Sequence, residues 1–340
     1  MNLLMWSPYL LILGVGVVSA LLTLWLSRHA KARGWLAVPN ERSSHRTPTP
    51  SGAGLAVAVV FLGTVAVLGI TNVIPSAIAW ALVVGGMAIA VVGWMDERTP
   101  LSLWVRVLVH VFAAVYAVWI LGGMPVLFVG APVLLGAPLG FVLAVAGIVW
   151  FSNVYNFMDG IDGLAGMQAV WVSAIAGALI ATLAGTGPFT LIVWLLGASV
   201  AGFLVWNWHP ASIFLGDVGS VLIGFTFGVL ALWTEYTHAL PLFVWFILLT
   251  PFLVDATATT IKRMLDGKQW YAAHREFSYQ LALKNRTHAR VVVRVLLLNI
   301  LASPLAIFAA YDPRFVLPAF LIAVVFWTFV WHSVQTRASS

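Results

Sequence analysis

The sequence predicts an all-α, polytopic membrane protein with about eleven transmembrane helices. Its 340 residues are 62% hydrophobic and only 8% charged, whereas a soluble domain has about a quarter charged residues. Eleven apolar windows are long enough to cross a bilayer, which takes about 20 residues. On that layout the basic residues collect on one side of the membrane. A soluble helical protein of this length is not expected to bury so many apolar side chains.

The predicted spans follow one another with short polar breaks. They cover residues 8–26, 53–70, 75–94, 105–121, 138–156, 164–183, 189–206, 218–234, 240–261, 291–310 and 316–332. The apolar segment 122–137 is interrupted by glycine and proline, so we predict an external hairpin or a re-entrant piece there. We interpret residues 1–340 as one membrane domain.

The order of charges around the first span predicts the orientation. No Lys or Arg precedes this span, whereas Arg28, Lys31 and Arg33 follow it directly. A secretory signal peptide has the opposite order. The positive-inside rule therefore predicts an N-terminus outside and a C-terminus in the cytoplasm. With eleven spans, sixteen of the seventeen Lys and Arg residues fall in inner segments and only Arg314 falls outside.

The composition also limits the chemistry and the partners. The chain has no cysteine, which excludes disulfides, thiolate nucleophiles and cysteine metal sites. Its net charge of +6 gives a basic inner face that suits anionic lipid headgroups or a polyanionic soluble substrate, and the sequence leaves both open. The lipid bilayer is an expected partner and nucleic acid is not.

The acidic residues are concentrated near the predicted inner loops. The densest group is NVYNFMDGIDG, in which Asn153 and Asn156 lie one helical turn apart and Asp159 and Asp162 each precede a glycine. Both glycines allow positive φ and a tight turn, and Asp162 can cap the helix that follows. The structural alternative is two Asx turns and a cap. Four such residues between apolar spans favour a functional site.

Two further acidic motifs lie at span ends on the same predicted side. Asp217, in FLGDVGS, begins the eighth span, where a carboxylate can ligate Mg²⁺ or merely cap a helix. Asp96 and Glu97 end the third span and precede Arg98, so they form either part of a site or an interfacial ion cluster.

Two predicted inner loops contain basic residues and histidines, in contrast to the acidic motifs described above. The loop 263–289 includes His274 and Arg275 in HREFSYQ, which suits a phosphate and ring contact or a solvated basic surface. The loop PNERSSHRTPTP includes His45 and is equally open to a functional and a structural reading. We predict one shared active site, built from the inner loops near residues 27–52, 95–104, 157–163, 207–217 and 263–289.

These motifs, in this order, resemble the polyprenyl-phosphate N-acetylhexosamine-1-phosphate transferases of glycosyltransferase family 4, and most of all their bacterial O-antigen-initiating, GlcNAc-1-phosphate transferase-like branch. The resemblance covers about residues 35 to 285. It implies transfer of an N-acetylhexosamine-1-phosphate from a UDP-sugar to undecaprenyl phosphate, with UMP as the second product. It also implies Mg²⁺ as the cofactor, which Mn²⁺ can replace. The active site is expected to face the cytoplasm from the bacterial inner membrane. Since many relatives dimerise, a homodimer is expected.

The resemblance assigns roles residue by residue. Asn156 and Asp217 would bind the metal. The catalytic group would comprise Asp96, Asp159, Asp162 and Asp217, with Asp159 and Asp162 lining the nucleotide and sugar site. The substrate-binding residues would be Glu97, Asn153, Asn207, Phe214, His274, Arg275 and His45, among which Asn207 matches a position that contacts uracil and Phe214 lies near it.

The chain departs from the family pattern at Glu97, where relatives have Asp, and at Phe277, where they have His. These departures motivate one alternative, a catalytically inactive relative. A second alternative is a membrane transporter of a polyanion or a lipid-linked sugar. A transporter is expected to have essential polar residues deep in several spans, and here the mid-span regions are nearly uncharged apart from Asp255.

Asp96 is often cast as a general base in this family, and we favour another role. A phosphate monoester has a second pKa near about 6 and is already mostly dianionic at pH 7. An ordinary Asp, with a pKa of about 3.9, is a poor base at that pH. We therefore expect Asp96 to position the lipid phosphate or to support the metal.

Overall fold

The apolar windows of the sequence all form helices. The computed structural model describes residues 7–39, 44, 47–124, 126–129, 131–269 and 274–339. Its α-helices are α1 (Ser7–Arg33), α2 (Gly54–Ile70), α3 (Ser76–Asp96), α4 (Leu103–Ile120), α5 (Ala137–Phe157), α6 (Leu164–Leu183), α7 (Pro188–Asn207), α8 (Gly216–Tyr236), α9 (Leu242–Leu265), α10 (Ser278–Leu281), α11 (His288–Tyr311) and α12 (Val316–Ser339). Short 3-10 turns, Ala282–Asn285 and Pro313–Phe315, precede α11 and α12.

The predicted class, a polytopic helical membrane bundle, is confirmed. In the described part of the chain, ten helices are long and apolar enough to cross a membrane, and α2 is a shorter apolar helix of 17 residues. Seventeen residues is the lower end of the range found for spanning helices. Predicted and observed ends agree within about four residues, except that α1 and α12 continue beyond residues 26 and 332 to Arg33 and Ser339. Basic side chains in the last turn favour such an extension of α1.

Four short strands form two small hairpin-like ladders. β1 (Leu36–Ala37) pairs with β2 (Thr49–Pro50), and β3 (Val126–Phe128) pairs with β4 (Pro132–Leu134), both antiparallel. The second ladder confirms a hairpin within the segment 122–137. The Glu235 carboxylate attaches it to the bundle by accepting hydrogen bonds from the backbone N–H groups of Phe128 and Leu242, both at 2.7 Å.

Helix α8 lies at the centre of the bundle and brings three helix ends together. It packs closely on α3, where Gly93 faces the backbone of Val218, and on α5, which approaches Gly224. A methyl group at Gly93 would lie 2.9 Å from Val218 backbone atoms, so only a small residue permits this approach. Because α8 runs antiparallel to α3 and α5, its first turn lies beside the last turns of both.

Asp255, the acidic residue within the ninth span, has a structural partner. Its Oδ1 accepts a hydrogen bond from the Ser278 backbone N–H at 2.8 Å, and its Oδ2 accepts one from the Tyr279 N–H at 3.1 Å. Asp255 therefore holds the start of α10 against α9. This contact explains the one mid-span carboxylate without a transport pathway.

We expect Asp255→Ala to destabilise the protein by about 2–6 kcal/mol, because two buried N–H groups lose their acceptor at about 1–3 kcal/mol each. Thermal unfolding of the purified protein measures the change. Asp266→Ala is the control. The Asp266 carboxylate is exposed, and its ion pair with Lys268 is long, at 3.8 Å. Such surface pairs contribute little to stability. Equal melting temperatures for the two variants would contradict this role of Asp255.

Candidate active site

The last turn of α5 and the first turn of α8 meet through direct side-chain contacts. The Asn156 Nδ2 donates hydrogen bonds to Asp217 Oδ1 at 2.9 Å and to Ser220 Oγ at 3.0 Å. Ser220 follows Asp217 by one helical turn, so both side chains face α5. Asn156 and Asp217, the predicted metal ligands, are therefore neighbours.

A cavity of about 300 Å³ opens at this junction. Six of the predicted site residues line it: Asn156, Asp159, Asp162, Asn207, Phe214 and Asp217. They come from the ends of α5 and α7, the start of α8 and the loops beside them. The folded chain thus brings together motifs that lie up to about sixty residues apart in sequence.

Arg106, in the first turn of α4, links the third acidic motif to this group. Its Nη1 donates to Asp96 Oδ2 at 2.9 Å and lies 3.8 Å from Asp217 Oδ2. The other oxygen of Asp96 accepts a hydrogen bond from the Leu101 backbone N–H at 2.6 Å. Asp96 is therefore held at the edge of the site by two partners, and Arg106 contributes to the site although it belongs to none of the sequence motifs.

The carboxylates create a negative field that suits a divalent cation. Burial raises the pKa of Asp159 well above its usual range, and the nearby Asp217, Glu97 and Asp162 carboxylates add to this effect. A bound cation relieves such repulsion. The atoms around the cavity that could coordinate a metal are carboxylate, amide and hydroxyl oxygens, which Mg²⁺ prefers as ligands. Asn156, Asp159 and Asp217 therefore fit a magnesium ion.

Asp162 lies in a different environment from Asp159. Its Oδ2 accepts from the Ala211 N–H at 3.2 Å and lies 2.6 Å from His209 Nδ1 and 3.2 Å from His288 Nδ1. Burial alone would raise the pKa of Asp162, but hydrogen bonds from His288 and His209 outweigh it and lower this pKa. The pKa values of the two carboxyl groups are thus shifted in opposite directions, that of Asp159 upwards and that of Asp162 downwards.

The expectation that Asp162 caps the next helix is wrong. The residue before α6 is Gly163, with φ +78°, and no side chain caps this helix. The Asp162 carboxylate turns instead towards the loop after α7. Gly160 also differs from the expectation, because it is not among the residues with positive φ. Its role is spatial, since a Cβ there would overlap the Tyr279 hydroxyl.

Asn207 joins two loops of the site. Its Oδ1 accepts from the Gly163 N–H and its Nδ2 donates to the Ile213 carbonyl, both at 2.9 Å. The side chain is buried, so its amide fixes the position of both loops. Phe214, directly after Ile213, lines the cavity together with Asn207.

A larger cavity of about 1050 Å³ adjoins the first and shares Asp162, Phe214 and His288 with it. Its walls carry the basic residues Arg275, Lys284 and Arg286 and both histidines, His209 and His288. The chain thus places a basic cavity directly beside an acidic one.

Four predicted site residues do not line either cavity: Asp96, described above, and Asn153, His274 and Glu97. Asn153 donates to the Val149 carbonyl at 2.7 Å within its own helix. His274 packs on the Phe277 ring, with ring centroids 4.5 Å apart. Glu97 lies on the far side of Gly216, and its Oε1 accepts from the Val218 N–H at 3.3 Å. His45 lies outside the described residues.

Glu97 is positioned to support the first turn of α8. Although the residue is exposed overall, its carboxylate is packed against Gly216. This burial raises the pKa of Glu97 to about 7, and the Asp217 charge contributes to the rise. A folded-state pKa above the unfolded value of 4.5 means that ionised Glu97 opposes folding, increasingly as the pH rises from about 4.5 to above 7.

We therefore expect Glu97→Gln to raise the melting temperature by a few degrees at pH 8 and by much less at pH 5. Glutamine keeps an acceptor for Val218, and solvent around the exposed side chain limits the gain to about 1 kcal/mol. Melting curves in a chelator, which removes divalent cations, measure the difference. A gain that is the same at both pH values would contradict the assignment.

The chain is similar to known glycosyl transferases. The family model described as glycosyl transferase family 4 matches residues 79–235. The chain is 30% identical to the probable undecaprenyl-phosphate N-acetylglucosaminyl 1-phosphate transferase of Bacillus subtilis, over 79% of this chain and 75% of the relative. It is 28% identical to the decaprenyl-phosphate N-acetylglucosaminephosphotransferase of Mycobacterium tuberculosis H37Rv, over 92% and 86%.

A third relative matches more strongly over a shorter stretch. The phospho-N-acetylmuramoyl-pentapeptide-transferase of Moorella thermoacetica is 40% identical over 29% of this chain and 31% of its own length. The family match spans α3 to α8, which contain Asp96, Asn156, Asp159 and Asp217. The chain is a multi-pass membrane transferase that belongs to glycosyl transferase family 4.

Proposed function

We propose that this protein transfers an N-acetylhexosamine-1-phosphate from a UDP-sugar to undecaprenyl phosphate, releasing UMP. The observation that carries the proposal is the contact of Asn156 with Asp217 in a cavity also lined by Asp159 and Asp162. This acidic cavity adjoins a basic one at the end of a membrane bundle. The relatives named above, which act on polyprenyl phosphates, support the same chemistry.

Phosphoryl transfer depends mainly on positioning and on stabilisation of charge. Asn156, Asp159 and Asp217 would hold Mg²⁺, for which Mn²⁺ can substitute, and the ion would neutralise charge on the donor diphosphate. Asn207 and Gly163 keep the two loops of the cavity in place, and Phe214, which lines the cavity, would contact the nucleobase. The basic residues around the larger cavity would receive the remaining phosphate and sugar groups.

Two buried polar atoms at the site support a polar substrate. Arg106 Nε and Gln280 Oε1 are buried and have no hydrogen-bond partner among the described residues. Gln280 lines both cavities, and Arg106 contacts Asp96 and Asp217. An unpaired buried polar group costs about 1–3 kcal/mol, which substrate groups would recover.

Asp96 would act by positioning. Both of its oxygens are already engaged, by Arg106 and by the Leu101 N–H, so it keeps the Arg106 guanidinium beside Asp217. The lipid phosphate, already dianionic near neutral pH, would bind next to this guanidinium and attack the β-phosphorus of the donor. The P–O bond to the α-phosphate would break, and UMP would leave.

The wider biological setting belongs to the same proposal. We place the site on the cytoplasmic face of a bacterial inner membrane, since the positive-inside rule assigns the helix ends around it to that side. The product would begin a surface polysaccharide such as an O-antigen, and the enzyme would work as a homodimer.

The test uses purified full-length protein with undecaprenyl phosphate, Mg²⁺ and a panel of UDP-N-acetyl sugars, with UMP release as the readout. We expect release with at least one sugar, only when lipid and metal are both present. Omitting the lipid is the matched control, because simple hydrolysis of the donor would continue without it. Absence of release with every sugar from a folded protein would contradict the proposal.

A further inference from the structure

A second, largely apolar groove lies on the opposite side of α10 from the candidate active site. It runs between α9, α11 and α12, where Phe252, Val295, Leu298 and Val334 contribute apolar walls. The indole ring of Trp331 is fixed there by its Nε1–H, which donates to Thr259 at 3.0 Å. Since all three helices are long and apolar enough to cross the membrane, the groove lies at the level of lipid chains.

One end of this groove is strongly basic. Arg286 and Arg294 line both the groove and a neighbouring depression, which also includes Lys284 and Arg337. Within the described ranges, no carboxylate forms an ion pair with Arg286 or Arg294. Four cationic side chains at the end of an apolar groove complement a molecule with an anionic head and a hydrocarbon tail.

The position of the groove distinguishes between two kinds of lipid with an anionic head. The polyprenyl acceptor must bring its phosphate to the cavity that contains Asn156 and Asp217, and the groove shares no lining residue with that cavity. A glycerophospholipid of the bilayer has no such requirement. The location of the groove therefore favours a glycerophospholipid over the polyprenyl acceptor.

The floor of the groove separates it from the catalytic cavity. Asp255, Ser278 and Tyr279 line the groove and bond to one another through the Asp255 carboxylate. Tyr279 also donates its hydroxyl to the Phe157 carbonyl at 3.0 Å. The groove has no lining residue in common with the 300 Å³ cavity and shares only Arg286 with the 1050 Å³ cavity. A lipid here would therefore not occupy the position of the reacting phosphates beside Asn156 and Asp217.

We infer that this groove binds an anionic phospholipid of the surrounding bilayer, with its phosphate near Arg286 and Arg294 and one acyl chain between α9, α11 and α12. The bound lipid contacts Tyr279 and Met158, which flank the loop that carries Asp159 and Asp162. It therefore supports the active-site loop from the membrane side. The inference rests on the groove and does not depend on the transfer reaction.

The test is native mass spectrometry of the delipidated full-length protein, titrated with phosphatidylglycerol or with phosphatidylcholine of the same chains. We expect phosphatidylglycerol to bind at least about fivefold more tightly, and Arg294→Gln to weaken it about fivefold, the value of one basic residue near an anionic headgroup. Leu298→Trp, which fills the groove and keeps every charge, should weaken both lipids. Arg290→Gln is the matched control, since Arg290 is exposed on the same helix but lines neither the groove nor its basic end.

Several outcomes would overturn the inference. Equal affinity for the two phospholipids would show that the basic end does not select an anionic headgroup. If Arg290→Gln weakened phosphatidylglycerol binding as much as Arg294→Gln, the preference would come from general surface charge and not from the groove. Displacement of phosphatidylglycerol by inorganic phosphate alone would leave only an anion site. Tighter binding of undecaprenyl phosphate, lost in Leu298→Trp, would assign the groove to the acceptor instead. All these readouts are independent of turnover, so they stay informative if the proposed reaction fails.

Discussion

Replacing Asp217 by Asn should lower UMP release at least about 100-fold, the largest effect we expect from a single substitution. Asn207 and Ile213 would still position the loop before α8, and asparagine has nearly the same volume as aspartate. What is lost is a carboxylate next to Asn156 and Arg106. Removing one charged group that stabilises a transition state typically costs about 10²–10³ in rate.

The expected signature goes beyond the loss of rate. A weakened metal site should require more Mg²⁺ for half-maximal residual activity, while the melting temperature stays close to that of the wild type. Asp266→Asn is the control, because it removes an acid that lies outside both cavities and should retain full activity. An Asp217→Asn enzyme with unchanged Mg²⁺ dependence and near-normal rate would remove Asp217 from the metal site.

Asp96→Asn should lower kcat by about 10–100-fold, as is usual when a residue that orients the groups around a metal is lost. The reduction should be nearly constant between pH 6.5 and 8.5. The lipid phosphate is mostly ionised across this range, and Asp96 acts through Arg106 rather than by accepting a proton. The pH profile of kcat for wild type and variant measures this directly.

A double-substitution cycle separates this role from general damage. If Asp96 works by holding Arg106, then Asp96→Asn and Arg106→Gln together should cost little more than either change alone. Recovery of Asp96→Asn activity as the pH rises past the phosphate pKa would instead favour the general-base role. Fully additive losses would show that the two residues act independently.

The helices were predictable because bilayer solubility imposes a simple pattern on the sequence. The length of each apolar stretch was enough to locate the spans. The predicted and observed helices differ only at their ends, as in α1, where a charged final turn continues to Arg33. Glycine and proline in the apolar segment 122–137 predicted either a hairpin or a re-entrant piece, and the pairing of β3 with β4 shows the hairpin. These features are local, so a single sequence contains them.

The site was only partly predictable because its contacts are long-range. The acidic motifs were visible, and the contact between Asn156 and Asp217 agrees with their predicted pairing. Arg106 looked like an ordinary cation at the membrane interface. The residues around it do not indicate that the first turn of α4 faces Asp96. His209 and His288 gave no signal, because each is a lone histidine until the fold places both on Asp162.

Asp162 shows why a correct local rule can fail. An Asp two residues before a helix is a reasonable capping candidate, and the following glycine does adopt positive φ. The side chain nevertheless turns towards His209, whose Nδ1 lies 2.6 Å from Asp162 Oδ2, and accepts a hydrogen bond from the Ala211 N–H. His288 Nδ1 accepts a hydrogen bond from the Asp162 backbone N–H and so adds to the same network. A tertiary network has overridden a local preference.

The central claim is that a whole sugar-phosphate moves to the lipid, and the fate of the donor's β-phosphate tests it most directly. The purified protein would be incubated with undecaprenyl phosphate, Mg²⁺ and a UDP-N-acetylhexosamine carrying radioactive phosphorus in the β-position, followed by separation of lipid from water. We predict that the label enters the lipid phase and that the UMP released is unlabelled. Label that stays in the water as UDP while sugar reaches the lipid would mean plain glycosyl transfer and would contradict the account.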